Sequence, residues 1–360
     1  MIAMRTVLSS RSFQKDLDKS LYNIENIMTA RSSNFTTSAL EYENEFDDYT
    51  CPLHGKDGKL ARVAKITALV VIIAVSLIGN LLIIIVSRRT VRMRKVAFNF
   101  IVNMAIADLC TTIINMPESL FVEIKDSDEW ISGDIGVVLC KFLPFCQQVC
   151  SLCAILSLLT IAFDNFFAIC LPLKNTITRK FSRIIITSTW LIPCITSVPM
   201  FLANNVVESE GILLCLEEWP TPFDSLLASR TYTVILFILF YIMPLISISV
   251  LYSCVLYKIL NRNVPGNHSA KTQRLYSRSR RKALKMFVTT VICFALCWLP
   301  DHVTYFLITY NDEFYNCGLP RDVDFVSLFF AYAISALNPC IYMILNQQYR
   351  NGAKRLLTYC

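Results

Sequence analysis

An acid and an imidazole stand side by side in an apolar run: Asp301 and His302 follow Pro300 in residues 287–310, FVTTVICFALCWLPDHVTYFLITY. Such a pair can pass a proton, hold a cation or bind a ligand amine, and an acid this far from water needs a partner. Two kinds are open to Asp301: a guanidinium or amine brought by a ligand, or a group of the protein itself, such as His302 or a water. A second acid, Asp108, lies in the apolar sequence NMAIADL and must face other side chains rather than lipid; Asn80 and Asn338 are its expected partners. Covalent catalysis finds no support. His302 has no serine or cysteine at a spacing suited to a nucleophile, and no His, Cys, Asp or Glu cluster has metal-ligand spacing. The chain is read as no enzyme, and its buried polar groups point to recognition.

The elements that position these groups are membrane spans. Hydrophobic residues make up 54% of the 360 and charged ones 17%, with a positive mean hydropathy, whereas soluble domains carry about 25% charged residues. Seven segments, 66–86, 96–121, 142–170, 184–203, 232–257, 287–310 and 323–345, are long and apolar enough for a helix across the ~30 Å hydrocarbon core. The expected fold class is an all-α membrane protein, a seven-transmembrane helix bundle. Residues 1–63 form a tail, 64–346 the bundle, and 347–360 a short amphipathic eighth helix with a short cytoplasmic end, because Tyr349, Ala353, Leu356 and Leu357 recur at helical spacing against Arg350, Lys354 and Arg355. Pro300 removes a backbone hydrogen bond from the sixth span and makes it a kinked lever.

Lysine and arginine set the orientation. Five lie between spans one and two, four between three and four, nine between five and six, and three follow the last span; the one acid in these regions is Asp164. These faces are cytoplasmic by the positive-inside rule, which places the N-terminus outside. Lys56, Lys59, Arg62 and Lys65, just before the first span, oppose that orientation and are outweighed by the later loops. On the outer side, Asn34 begins a glycosylation sequon. The sequon at Asn267 is cytoplasmic and stays unmodified. The acidic run 41–48 reads as solvated tail. Four cysteines, Cys51, Cys140, Cys215 and Cys317, lie in outer regions, and four allow three pairings. Cys140–Cys215 would pin the second outer loop over the bundle mouth, and Cys51–Cys317 would tie the tail to the last outer loop. Cys360, at the end of the amphipathic stretch, is a candidate for acylation.

Across residues 64–357 the sequence resembles the rhodopsin-like (class A) G-protein-coupled receptors. The likeness is carried by Gly79-Asn80 in the first span, NMAIAD ending at Asp108 in the second, Trp130-Ile-Ser-Gly133 in the first outer loop and Trp190 in the fourth span. It continues with Pro244 and Tyr252 in the fifth, Phe294 and Cys-Trp298-Leu-Pro300 in the sixth, and Asn338-Pro339-Cys-Ile-Tyr342 in the seventh. The resemblance implies a multi-pass plasma-membrane receptor with an extracellular ligand, a heterotrimeric G protein and arrestin as cytoplasmic partners, and membrane lipid around it; nucleic acid is not among the expected partners. It implies a switch made of Trp298, Phe294, Pro300, Asp164, Asn165, Tyr252, Asn338, Pro339 and Tyr342. It also implies a sodium ion at Asp108, as the one candidate cofactor. Ala154 and Ile334 replace the family's serine and asparagine there, so a protonated or water-bridged Asp108 is an equal alternative.

The likeness points most to neuropeptide receptors, through Gln147 where monoamine receptors place an aspartate, Gln148 beside it, Pro117, and the Cys-Trp-Leu-Pro-x-His pattern. Retinal is excluded because Tyr332 stands where photoreceptors carry their lysine. The implied pocket comprises Gln147, Gln148, Asp301, His302, Tyr305 and Tyr332, with Glu118 at the rim and Trp298 as floor and trigger. From Glu118 outward, sixteen acids face four bases on the outer side, which favours a cationic ligand. The family's Asp-Arg-Tyr reads Asp164-Asn165-Phe166 here, which removes the usual ionic latch. Its alternatives are higher basal activity, altered coupling, a scavenger or arrestin-biased receptor, or a tolerated variant. A transporter is the remote rival, disfavoured by the lack of repeated halves.

Overall fold

The computed structural model of the chain describes residues 58–89, 96–127, 129–171, 178–209, 211–261, 270–311, 314 and 319–358. Asn34, the acidic run 41–48, Cys51, Asn267, Cys317 and Cys360 lie outside the described residues.

Among the described residues seven helices are long and apolar enough to cross a membrane: Lys59–Arg89, Phe98–Lys125, Gly133–Cys170, Lys180–Ala203, Ser225–Leu260, Leu284–Tyr310 and Arg321–Leu345. An eighth, Gln347–Thr358, follows them. The first span shows why these sequences pack as they do. Its buried residues Leu69, Ile72, Ser76, Asn80, Ile83 and Ser87 recur at helical spacing, while Val70, Val71, Val75, Ile78 and Leu81 are exposed. The apolar side faces outward and the small and polar residues face the neighbours, which is the arrangement a lipid solvent selects. Gly79 belongs to that contact: a Cβ on it would lie 2.6 Å from Cγ of Pro339 in the seventh span.

Two spans change pitch. The second runs as α-helix over Val96–Cys110, widens to a π-turn at Thr111–Asn115 and resumes at Met116–Lys125. The fifth does the same at Ile238–Ile242, between Ser225–Phe237 and Met243–Leu260. Pro117 and Pro244 each stand in the second position of the resumed helix, where the widened turn spares the missing N–H and the clash that a proline ring makes with the preceding turn. Pro300, by contrast, lies inside one continuous helix, Ala270–Tyr310.

Between the fourth and fifth spans the chain forms an antiparallel hairpin, β1 (Asn204–Ser209) and β2 (Ile212–Glu217), with Cys215 opposite Val206. Gly211 turns it at φ 80°, a backbone region that glycine enters without strain. Cys215 is disulfide-bonded to Cys140, and both cysteines are buried against Trp130 and Val206. Trp130 N–H donates to Leu213 O at 2.7 Å, its Nε1 donates to Gly136 O at 2.8 Å, and Lys141 Nζ donates to Asn204 O at 2.8 Å. First outer loop, third span and hairpin are therefore one stitched unit.

The largest core cluster runs down the inner half of the bundle, from Trp298 and Tyr241 to Tyr342, Tyr349 and Ala353. The eighth helix docks through Tyr349, whose hydroxyl lies 3.0 Å from Ser87 Oγ and whose ring stacks on Tyr342 at 6.1 Å. Burial raises the pKa of that phenol above its usual value, and the Ser87 bond offsets part of the rise. Arg350 donates to Met343 O and Ile344 O, capping the end of the seventh span.

Candidate functional site

A cavity with about 120 Å³ of water-accessible space opens between the third, fourth, fifth and sixth spans. Of the residues expected to form a pocket, Gln147, Gln148, His302 and Tyr305 line it, together with Trp298 and Phe294 at its inner edge. The fifth span adds Tyr232, Phe237, Phe240 and Tyr241, and the fourth adds Met200. None of these five was singled out in the sequence; the aromatic crowding of the fifth span was the available signal.

Most polar groups here are committed to one another. Tyr232 OH lies 2.9 Å from Thr196 O and 3.1 Å from Gln148 Oε1, with one proton to share between the two acceptors, and Tyr305 OH lies 3.1 Å from Ser229 Oγ. His302 is caged by rings, with centroids 4.5 Å from Tyr241, 5.0 Å from Phe237 and 6.2 Å from Trp298. Asp301 does not line the cavity, is buried, and leaves Oδ2 without a hydrogen bond among the described residues.

Tyr332 and Glu118 are placed elsewhere. Tyr332 is buried with Leu69, Ile72, Met116, Phe325 and Leu328, a cluster of the first, second and seventh spans. Its hydroxyl lies 3.1 Å from Ser119 Oγ, beside Glu118. Above this cluster, charges close the outer face. Asp126 meets Arg321 at 2.9 Å and Arg62 at 3.6 Å, and Arg62 also donates to Ile124 O. Lys65, only 8% exposed, meets Asp322 at 2.7 Å and lies 5.3 Å from the Phe325 ring centre. Arg62 and Lys65, two of the four cations that oppose the expected orientation, are thus held by Asp126 at the end of the second span and Asp322 of the seventh. Their spacing, three apart on one helix, was the legible signal. It also corrects the charge reading: Asp126 and Asp322 are neutralised within the protein, while Asp134, Glu208 and Glu218 form no ion pair among the described residues.

Below the cavity, Gln147, Phe294 and Trp298 also line a void of about 10 Å³ with Asp108, Ser335 and Asn338. Asn338 Nδ2 donates to Asp108 Oδ2 at 3.0 Å. Asn80, the other expected partner, turns away: its Nδ2 donates to Ser76 O, Ser76 Oγ and Ser335 O. Ala154 and Ile334 add no oxygen, and the space suits one water at most. These residues do not fit a sodium ion. Replacing sodium chloride with choline chloride at roughly 0.15 M is expected to leave the unfolding temperature of the purified chain within ~1 °C; an ion held at 100 times its Kd adds about 2.7 kcal/mol and would shift it visibly.

At the inner end, Asp164 and Asn165 are half-buried, and Asp164 makes no ion pair among the described residues. Asn165 lies against Tyr252, yet among the described residues Asn165 Nδ2 and the Tyr252 hydroxyl both lack a partner within hydrogen-bonding geometry. Tyr342 is buried, with its hydroxyl 3.9 Å from Met104 Sδ.

Residues 79–342 match the family model described as 7 transmembrane receptor (rhodopsin family). The chain belongs to that family. That family is one of multi-pass membrane receptors, not of enzymes. Among curated proteins it is similar to the neuromedin-K receptor of Cavia porcellus, 29% identical over 80% of this chain and 64% of that protein. It is also similar to the neuromedin-K receptor of Homo sapiens (29%, 81% and 60%) and the substance-P receptor of Rattus norvegicus (28%, 81% and 70%). The chain therefore spans less than two thirds of the length of the neuromedin-K receptors it matches.

Proposed function

We propose that this chain is a cell-surface receptor, N-terminus outside, for an extracellular peptide bearing positive charge, and that it passes a rearrangement of the sixth span to a heterotrimeric G protein. The observation carrying this is continuity: Trp298 and Phe294 line both the outer cavity and the void at Asp108 and Asn338. A ligand that fits one arrangement of these rings better than another shifts the sixth span and whatever its inner end contacts. The names of the similar receptors support a peptide. The unpaired outer acids Asp134, Glu208 and Glu218 support its charge, with the peptide's cations at the rim and an uncharged part below. Arrestin and anionic lipid are the further partners on the basic inner side.

A second reading is favoured by one observation, the unlatched Asp164 and Asn165: a receptor that clears its ligand or engages arrestin without activating a G protein. The test is G-protein activation and arrestin recruitment in intact cells, against a panel of short basic peptides. Activation of both is expected. Arrestin recruitment alone favours the second reading, and silence in both removes the peptide.

A further inference from the structure

We propose that Cys170 and Cys254 form a redox site at the inner end of the bundle, where a hydroperoxide closes a disulfide that ties the third span to the fifth. From the reading above it takes only the compartment: inner ends that face the cytosol, where a reducing milieu keeps thiols free at rest.

Cys170 ends the third-span helix, Gly133–Cys170, and Cys254 lies in the last two turns of the fifth, Met243–Leu260. Cys170 Sγ donates to Cys254 O at 3.8 Å, so the two residues meet across the seam although they stand 84 positions apart in the chain. Both thiols are free, with Cys254 exposed and Cys170 half-buried. Turning the Cys254 side chain toward that contact brings sulfur to sulfur without moving either helix. Lys258 stands one turn beyond Cys254 on the same face and lies near Cys170 as well. Partly exposed thiols beside a cation are the ones that oxidise. In the first step Cys254 Sγ attacks the hydroperoxide, the O–O bond breaks, and the leaving oxygen, held by the Lys258 ammonium, takes up the thiol proton; Cys254 becomes a sulfenic acid. Cys170 Sγ then attacks that sulfur, the S–O bond breaks, and the hydroxyl departs with the Cys170 proton as water. Two thiols are oxidised by two electrons and one hydroperoxide is reduced to an alcohol, or to water from hydrogen peroxide, and a second water. Further into the bundle the same seam sets Asn165 against Tyr252, where Asn165 Nδ2 and the Tyr252 hydroxyl lack a partner among the described residues. The bridge therefore supplies a tie at a contact that side-chain hydrogen bonds leave unfastened, and holds the third and fifth spans in the arrangement in which the thiols meet.

The test treats the purified full chain in lipid nanodiscs with hydrogen peroxide and reads the products by peptide mass. Before treatment both thiols should take up a maleimide. Afterwards labelling is lost at both together, and a linked peptide pair two hydrogens lighter appears that dithiothreitol reverses. Cys170→Ser should leave a Cys254 sulfenic acid that dimedone traps, and Cys254→Ser should leave Cys170 open to the maleimide. The unfolding temperature of the bridged chain should rise and fall back on reduction, since the tie closes a long loop of chain; neither serine variant should show that rise. Each variant's own unfolding curve before peroxide reports whether it folds, so either one can carry the test. Separate adducts at the two cysteines, a bridge between two copies through Cys254, no reaction at either thiol, or a bridge with no rise in unfolding temperature would overturn the proposal. A bridge already present before treatment would also overturn it, as a permanent staple in an oxidising compartment, and would remove the proposed orientation with it. Reversible bridging in a chain that activates no G protein leaves the inference standing and removes the coupling reading instead.

Discussion

Replacing Cys215 with serine will destabilise the purified chain by about 4 kcal/mol and reduce the amount reaching the cell surface several-fold. The bond closes 75 residues of chain, and constraining a loop of that length removes enough freedom from the unfolded chain to contribute about 4 kcal/mol. The loss falls on a definite piece of structure. Cys215 sits in β2, Cys140 near the outer end of the third span, and the remaining links to the hairpin are the Trp130 N–H and the Lys141 ammonium. The neutral Trp130 bond contributes about 1 kcal/mol and a charge-assisted bond from the Lys141 ammonium about 1.5–3 kcal/mol, each less than the disulfide. Cys140→Ser should cost the same as Cys215→Ser, and the double variant no more than either, because all three remove one bond. Thermal unfolding of the three variants reads this directly. A loss below about 1 kcal/mol in any of them would show that packing alone seats the hairpin.

The architecture was legible because a lipid solvent writes it in large letters: every span needs some twenty apolar residues, and the seven runs stand out one by one. Where the sequence said less, local chemistry could not decide which side of a helix meets which neighbour. The third helix begins at Gly133 rather than near Phe142, since the polar turn that starts it is bound to Trp130 and the hairpin rather than to lipid. Tyr332 packs against Leu69, Ile72 and Met116 of the first and second spans rather than lining the cavity with Gln147, and no one-dimensional pattern records that rotation. Three pairings were open to the outer cysteines; the fold brings Cys140 and Cys215 together, while Cys51 and Cys317 lie outside the described residues.

Charge was the least legible layer. Acids and bases on the outer side could be counted, but whether an acid is free for a ligand depends on contacts between distant spans. Asp126 and Asp322 are joined to cations at Arg62, Lys65 and Arg321. A largely buried ammonium such as Lys65 needs such a partner, because an unpaired one would cost several kcal/mol. Arg62 and Lys65, two of the cations that looked misplaced for insertion, are therefore parts of a closure between the first, second and seventh spans. The cavity lies apart from that closure, between the third, fourth, fifth and sixth spans.

Asn165→Arg will lower ligand-independent signalling about fivefold and leave a larger window for ligand response. Asp164 is half-buried and has no ion-pair partner among the described residues, and Asn165 beside it is too short and neutral to provide one. A guanidinium at position 165 can fold back onto that carboxylate in the resting arrangement. An ion pair of this exposure contributes about 1 kcal/mol, and 1 kcal/mol moves a two-state population about fivefold. The added side chain also gives the unpaired Tyr252 hydroxyl a donor across the inner groove. Basal and ligand-driven G-protein activation should be compared in cells matched for surface density. A control carries Asp164→Asn together with Asn165→Arg: with the acid gone the arginine has no resting partner, so basal output should return to the level of the unmodified chain. Equal basal output from the single and double variants would show that the acid at 164 contributes nothing to the resting state, and that Asn165 is a neutral replacement rather than a released latch.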